Sequence, residues 1–338
     1  MNNKDMLQVI EVFKKRNNFL ITSHINPEGD SIGSQLAVFD LLKRMGKNAV
    51  MVNQDEVPEN LCFLPGIENI KPEVPADFRV EVAVLLDCPV KERVGYVMNY
   101  IDDAVFMVNI DHHVSNEYYG DVNWVESEMS SVGEMAYHLI REMGGDLSKN
   151  VALAIYAALV TDTGMFNYDN TGKGTHLVAG EAIHAGVSPK LVYSEIFEKK
   201  PLFYLKVLGK VLSTVKVEEN GLVAYMTLTR RMLEEEGVSS VSTEEFIGYP
   251  RSIKGVEVAV FFNENPSDPE LVNVSFRSNG KIDVNRIAAQ FGGGGHQKAS
   301  GCLMRTSIEE AKEKILGEVR KAVRGSSRTG GHGSGGNA

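Results

Sequence analysis

The stretch AVFMVNIDHHVSN, residues 104–116, indicates how the first half of this chain folds. Residues 104–108 are apolar and typical of a buried strand, and this strand ends in Asp111, His112 and His113. Burying three unpaired titratable side chains would be costly, by several kcal/mol for each. We therefore expect these side chains to bind a ligand at the end of the strand.

The composition is that of an ordinary globular protein and argues against some partners. The chain has 338 residues, enough for two domains with separate cores, and a net charge of −10. Without a basic surface, long duplex nucleic acid is not expected as a partner. No secretory leader is evident, and the longest clean apolar run, residues 151–160, is too short to span a membrane. Cys62, Cys88 and Cys302 are widely spaced, which favours a reducing cytoplasm.

Strand-like and helix-like segments alternate through the first half of the sequence. The strand-like segments are residues 18–25, 48–53, 80–87 and 103–111. A helix is expected at 30–46, and the pattern turns helical between residues 130 and 197. This alternation predicts an α/β domain with a parallel sheet that has helices on both faces.

The second half has the pattern of a smaller α/β domain. Three strand-like segments precede a short helix at 284–292 and a final amphipathic helix at 307–323. The predicted organisation is a first domain at 1–197, a helical connector at 198–212, a second domain at 213–324 and a disordered Gly/Ser tail at 325–338.

Acidic and histidine residues follow the predicted strands of the first domain or end a long apolar helix. In parallel α/β sheets, ligands bind at the carboxyl ends of strands, so these side chains are expected to converge. The set consists of His24, Glu28, Asp30, Asp87, Asp111, His112, His113 and Asp162.

The chemistry of this set favours divalent metal ions. Imidazoles combined with carboxylates suit Mn²⁺, Mg²⁺ or Fe²⁺, and the carboxylates are too many for one cation. Two divalent ions with one bridging carboxylate would balance the charge, activate water and hold phosphoryl oxygens. A single Asp after a strand is ordinarily a cap or turn residue, so the prediction depends on the joint pattern. The other histidines, His138, His176, His184 and His332, are expected to have ordinary roles.

Six segments, in order, resemble the motifs of the DHH phosphoesterase family with its companion DHHA1 domain. The resemblance covers about residues 19–323. The segments are HINPEGDSIGS (24–34), LLDCP (85–89), NIDHHVSN (109–116), VTDTGMFNYDNT (160–171), VSFRS (274–278) and IDVNRIAAQFGGGGHQKASG (282–301).

The resemblance implies a role for each member of the set. His24, Glu28 and Asp87 would hold one Mn²⁺. The second ion would have as ligands Asp30, Asp87, His112 and Asp162. Asp111 would orient the histidines, and His113 would contact the phosphate or assist the leaving group. The family usually has Asp at the position of Glu28, which makes this ligand the least secure.

In the second domain, the segment FGGGGHQKASG at 291–301 is the strongest candidate for substrate binding. Glycines let backbone N–H groups approach an anion closely, and Arg277 ends a strand with a side chain suited to phosphate. The resemblance likewise implies substrate contacts from Arg277, Gly293, Gly294, Gly295 and His296. Ser131 is expected either to cap a helix or to contact a phosphate.

The predicted function is metal-dependent hydrolysis of phosphoesters. The resemblance implies short RNA oligonucleotides, cleaved to nucleoside monophosphates, and 3'-phosphoadenosine 5'-phosphate (pAp), cleaved to AMP. One alternative is a cyclic- or linear-dinucleotide phosphodiesterase of the same family. A family pyrophosphatase is less favoured because the glycine-histidine segment suits a nucleotide-sized ligand. An inactive nucleotide-binding regulator is the alternative from another class, and a homodimer is a further possibility.

Overall fold

The structure is a computed structural model that describes residues 3–243, 245–268 and 270–329. The chain divides into two compact units, Met1–Lys199 and Lys200–Ala338, called here unit 1 and unit 2. Among the described residues, no helix is both long and apolar enough to span a membrane.

Unit 1 contains a parallel sheet, as the sequence predicts, with six strands where the sequence indicates four. Its strands are β1 (Asn18–Thr22), β2 (Asn48–Val52), β3 (Ile70–Lys71), β4 (Val82–Leu86), β5 (Phe106–Asp111) and β6 (Val122–Val125). The strand order is β3-β2-β1-β4-β5-β6, and every neighbouring pair is parallel. The order reverses between β1 and β4, and such a reversal opens a crevice for ligands at the carboxyl ends of the strands.

Six α-helices accompany this sheet. They are α1 (Asn3–Lys15), α2 (Gly29–Arg44), α3 (Val132–Glu142), α4 (Lys149–Asp162), α5 (Lys173–His184) and α6 (Pro189–Phe197). Alternate strand residues face opposite ways: Phe19 and Ile21 pack among the helices, whereas Leu20 faces a second core with the 3-10 segment Lys91–Tyr100. Both faces of the sheet are therefore covered, which confirms the predicted fold class.

Two glycines let α2 and α3 lie very close to α4. A Cβ at Gly33 of α2 would stand 2.3 Å from the carbonyl oxygen of Ala154, and one at Gly133 of α3 would stand 2.4 Å from Cβ of Ala158. Helix α4 accepts neighbours on all sides because residues 151–160 are buried without exception. This packing fixes the first turns of α2 and α3, which carry part of the candidate site.

Unit 2 contains a mixed six-stranded sheet with the order β11-β12-β10-β9-β8-β7. Its strands are β7 (Lys216–Glu218), β8 (Val223–Leu228), β9 (Val258–Glu264), β10 (Leu271–Ser278), β11 (Gly294–His296) and β12 (Ala299–Arg305). Its helices are α7 (Leu202–Leu212), α8 (Arg230–Glu234), α9 (Gly248–Arg251), α10 (Val284–Ala289) and α11 (Ile308–Thr329). The pair β8–β9 is parallel and the other pairs are antiparallel.

Three details of unit 2 differ from the sequence prediction. Helix α7 is not only a connector, because Tyr204, Val207 and Val211 are buried in one core with residues of β8 and β9. The glycine-rich segment contains a strand that the sequence did not predict, since β11 pairs with β12. Helix α11 continues through residues 325–329, because glycine in a helix costs only about 1 kcal/mol and need not end it. The rest of the predicted tail, 330–338, lies outside the described residues.

Candidate metal centre

The site begins where β1 and β4 end, at the point of reversal in the sheet. His24 and Asp87 follow these strands and are both buried. Asp87 has a left-handed backbone with φ of 55°, a conformation that Asp tolerates better than most residues. Ser31, in the first turn of α2, donates to Asp87 Oδ2 at 2.7 Å, and its Oγ lies 2.9 Å from His24 Nε2. This arrangement holds His24 Nε2 3.4 Å from Asp87 Oδ2.

Asp111, the last residue of β5, organises the two histidines that follow it. Its Oδ1 accepts from the backbone N–H groups of His112 at 2.8 Å and His113 at 3.3 Å. The same oxygen lies 2.8 Å from His113 Nδ1, while Oδ2 accepts from Asn116 Nδ2 at 2.6 Å. Asp111 is fully buried, so its carboxylate is occupied by contacts that orient its neighbours.

Asp30 is fixed by the N-terminus of α3. Its two oxygens accept from the backbone N–H groups of Val132 at 2.7 Å and Gly133 at 2.8 Å. The first N–H groups of a helix lack intrahelical acceptors and favour negative charge. A carboxylate that would otherwise be buried at high cost is thereby held in one orientation.

His112 lies at the centre of the carboxylates. Its Nε2 lies 3.5 Å from Asp162 Oδ2, 3.8 Å from Asp87 Oδ1 and 3.9 Å from Asp30 Oδ2. Its Nδ1 lies 3.2 Å from the carbonyl oxygen of Met129, to which only a protonated Nδ1 can donate. With the proton on Nδ1, Nε2 faces the carboxylates, which is the usual arrangement of a metal-ligating histidine.

The donor atoms form two clusters that share His112. One consists of Asp87, His112 and His113, and the other of Asp30, His112 and Asp162. Ligand atoms about 2.1 Å from one cation stand about 3 to 4.2 Å apart, which matches the spacings around His112 Nε2. Moreover, Asp87 Oδ1 and His112 Nε2 are buried and have no hydrogen-bond partner. These orphaned atoms fit a metal site, because a bound cation would satisfy both.

The pKa values of this cluster are shifted by burial and by mutual charge. Burial raises the pKa of Asp30 well above its ordinary value, and the carboxylates of Asp87 and Asp162 raise it further. Burial likewise raises the pKa of Asp162 to about 6, although His112 opposes the effect.

The pKa values of Asp87 and His113 shift in the opposite sense to what burial alone would cause. Burial acts to raise the pKa of Asp87, but the hydrogen bond with His24 and the charges of both neighbouring histidines hold it below its usual value. Burial acts to lower the pKa of His113, but the hydrogen bond with Asp111 and the charge of Asp87 raise it to about 9. A cluster that retains protons in this way releases them when cations bind.

The structure brings neither His24 nor Glu28 into either cluster, although His24 lies beside Asp87. Glu28 is exposed and stands at the N-cap position of α2 without a side-chain capping bond. Ser131 caps α3, because its Oγ accepts from the backbone N–H of Glu134 at 3.1 Å. The capping role expected for Ser131 is thus observed, and a contact with phosphate stays a prediction.

The candidate substrate residues of unit 2 lie on β10 and on the β11–β12 hairpin. Arg277 is half-buried on β10, and His296 is exposed at the end of β11. Two glycines have a structural explanation: a Cβ at Gly293 would stand 2.2 Å from the carbonyl oxygen of Gly301, and Gly295 has a φ of +141°. Gly294 shows neither constraint, since the atom nearest to an added Cβ is Asn285 Oδ1 at 3.8 Å.

Sequence reasoning missed three residues that shape the metal centre. Ser31 and Asn116 fall within the quoted motifs. Ser31 contacts Asp87 and Asn116 contacts Asp111, and the sequence pattern alone did not indicate either contact. Arg93 lies outside every motif, and its Nη2 approaches His24 Nδ1 to 3.1 Å. No sequence signal pointed to Arg93, because only the fold places it beside β1.

Comparison with known proteins defines the class to which this fold and site belong. The model of the DHH family, N-terminal domain, matches residues 18–159, and that of the DHHA1 domain matches residues 218–332. This chain belongs to the DHH family of phosphoesterases.

Individual relatives match along most of their length. The chain is 32% identical to the bifunctional oligoribonuclease and PAP phosphatase NrnA of Thermus thermophilus, covering 90% of this chain and 89% of the relative. The protein of the same name from Bacillus subtilis is 31% identical, with 92% and 96% covered. A solved exopolyphosphatase-related protein from Bacteroides fragilis has a TM-score of 0.86 and 27% identity, with 94% and 96% covered.

Proposed function

We propose that this chain hydrolyses short RNA oligonucleotides to nucleoside monophosphates and pAp to AMP. The observation that carries the proposal is the pair of joined Asp/His clusters, with buried donor atoms that lack partners, at the carboxyl edge of the parallel sheet. Relatives that share about a third of the residues over nearly the full chain are named for these two activities, which supports the same substrates here.

The proposed cofactors are two divalent cations, with Mn²⁺ preferred and Mg²⁺ or Fe²⁺ also compatible with the donors. Asp87 would contact both ions, and its position between His24 and His112 supports this role. The first ion would have His24 and Asp87 as ligands, with the exposed Glu28 as its weakest ligand. The second would be held by Asp30, Asp87, His112 and Asp162.

The residues of the site divide the chemistry among them. Divalent cations bound here would supply water activation and neutralise the charge on phosphate oxygens. Asp111 lies 2.8 Å from Nδ1 of His113, and its hydrogen bond and charge raise the pKa of the imidazole, which favours the protonated ring. His113 would donate a proton from Nε2 to the ribose oxygen that leaves phosphorus, which is the general-acid role.

Recognition of the remaining nucleotide is assigned to unit 2. Arg277 would form a charge-assisted contact with a phosphate, and His296 with Gly293, Gly294 and Gly295 would contact the phosphate or base. Short substrates fit the absence of a basic composition, since the net charge is −10. A cytoplasmic location and a homodimer stay predictions.

Product analysis tests the proposal directly. The full-length protein is incubated with pAp, a dinucleotide, a five-nucleotide RNA and a cyclic dinucleotide, each with Mn²⁺ and each with a chelator. We expect AMP from pAp and nucleoside monophosphates from both RNAs, with Mn²⁺ only. Cleavage of the cyclic dinucleotide alone would favour the phosphodiesterase alternative, and binding without any cleavage would favour a regulator.

A further inference from the structure

Main-chain hydrogen bonds hold Arg93 beside the metal centre. It lies in the 3-10 segment after β4, where its N–H donates to the carbonyl oxygen of Val90 at 3.1 Å. Its own carbonyl oxygen accepts from the N–H of Ile25 at 2.7 Å, which ties it to the residue after His24. The position of Arg93 relative to the end of β1 is therefore set by two main-chain hydrogen bonds.

The guanidinium of Arg93 has a neighbour but not an acceptor. Nδ1 of His24 lies 2.6 Å from the carbonyl oxygen of Ile25, a distance that requires the proton to be on Nδ1. Nη2 of Arg93 lies 3.1 Å from the same nitrogen. Both nitrogens then carry a hydrogen atom, so neither can accept a hydrogen bond from the other.

Across the described parts of the chain, Arg93 has no ion-pair partner, although it is half-buried. By contrast, Arg44 of unit 1 pairs with Asp40, and Arg141 pairs with Asp146. Desolvating a guanidinium without an anion is unfavourable, so the arrangement is suited to an anion that arrives from outside.

We infer that Arg93 binds the phosphate being hydrolysed, through a non-bridging oxygen. The inference rests on the proposed function, to which it adds a substrate contact in unit 1. A guanidinium presents planar N–H pairs that match phosphate geometry. The positive charge of Arg93 opposes the binding of cations at the neighbouring metal centre. The same charge would stabilise a bound anion.

The competing role is that of a positioning residue for His24, and the two roles predict opposite effects on metal affinity. The variants are Arg93→Gln and Arg93→Lys in the full-length protein, with Arg141→Gln as the matched surface control. Mn²⁺ affinity is measured by titration of the metal-free proteins. Binding of inorganic phosphate is then measured calorimetrically at saturating Mn²⁺.

For Arg93→Gln we expect phosphate affinity to fall about ten- to a hundredfold while Mn²⁺ affinity stays equal or increases. Arg93→Lys should keep an intermediate phosphate affinity, and Arg141→Gln should match the wild type in both measurements. Weaker Mn²⁺ binding with unchanged phosphate binding would overturn the inference in favour of positioning. Parallel loss of both affinities in Arg93→Gln and Arg93→Lys would overturn it as well.

These readouts are independent of the natural substrate. If the wild-type protein cleaves neither RNA nor pAp, the proposed function fails, but the phosphate comparison still decides the role of Arg93. If it cleaves both and Arg93→Gln binds phosphate as well as the wild type, the proposed function stands and the inference about Arg93 fails.

Discussion

The metal centre of unit 1 and the glycine-rich hairpin of unit 2 are built in different ways. In the centre, Asp30, Asp87 and Asp111 are buried and each is held by hydrogen bonds or charged neighbours. On the hairpin, residues 294–298 are exposed, and the backbone conformation of Gly295 serves the strand pairing itself. The difference indicates that the acidic groups of the centre are held in place by their neighbours, whereas the hairpin presents an exposed surface.

The largest expected effect is that of Asp87→Asn. A neutral amide cannot bridge two cations, so turnover should fall by more than the roughly 10- to 100-fold typical of losing an outer-shell partner. The measurement is kcat/KM for a dinucleotide with Mn²⁺. The exposed Asp103→Asn serves as control and should keep full activity. Full activity of Asp87→Asn would show that Asp87 does not bridge two cations.

Arg277→Ala and His296→Ala test the other side of the comparison. Loss of a charge-assisted contact worth about 1.5–3 kcal/mol should reduce kcat/KM on dinucleotide and pAp about ten- to a hundredfold. A small chromogenic phosphodiester without a second phosphate should be hydrolysed almost as before. Equal losses on all three substrates would mean that these residues support the fold or the metals instead.

The tight packing that orients Asp30 can be tested by stability. In Gly133→Ala the new methyl group would overlap Ala158, which should lower the free energy of unfolding by about 1–3 kcal/mol. Gly180→Ala is the matched control, because nothing lies within 4 Å of its new Cβ, and it should stabilise by about 0.4–1 kcal/mol. Urea denaturation measures both. Equal effects would show that α3 can shift away from α4 without cost.

The raised pKa of Asp162 predicts how Mn²⁺ affinity varies with pH. Without metal, this carboxyl group takes up a proton as the pH falls through about 6, and the proton must leave before a cation binds. Apparent affinity should therefore decrease about tenfold per pH unit below 6 for this one proton. Titrations between pH 5 and pH 8 measure it, and an affinity independent of pH would exclude Asp162 as a ligand.

Glu28 should have the smallest effect among the candidate ligands, because it is exposed and outside both clusters. We expect Glu28→Asp to stay near wild-type activity and Glu28→Gln to lose at most about tenfold. Activity with Mn²⁺ and with Mg²⁺ measures the effect. A loss as large as that of Asp87→Asn would show that Glu28 is a full ligand.

The two regions also differ in how far the sequence predicted them. The strands that end at His24, Asp87 and Asp111 were found because uniform apolar runs end abruptly in charged residues. Strand β6 was missed, since its four residues include Asn123 and show little pattern. The β11–β12 pairing was missed because a run of glycines has no side chains to alternate.

Contacts across the fold set a further limit on prediction. Asp30 accepts from N–H groups more than a hundred residues away, and Arg93 reaches His24 across 69 positions. Local periodicity contains no information about such pairs. The residue types of the site could therefore be predicted from the sequence. The groups that hold these residues and balance their charges could be identified only from the structure.

The central claim is that the metal centre holds two cations and that Asp87 bridges them. Its most direct test is the number of Mn²⁺ ions bound per chain when metal-free, full-length protein is titrated. The account predicts two ions for the wild-type chain and fewer than two for Asp87→Asn. A wild-type chain that saturates with one ion or none, or an Asp87→Asn chain that binds two with unchanged affinity, would contradict it.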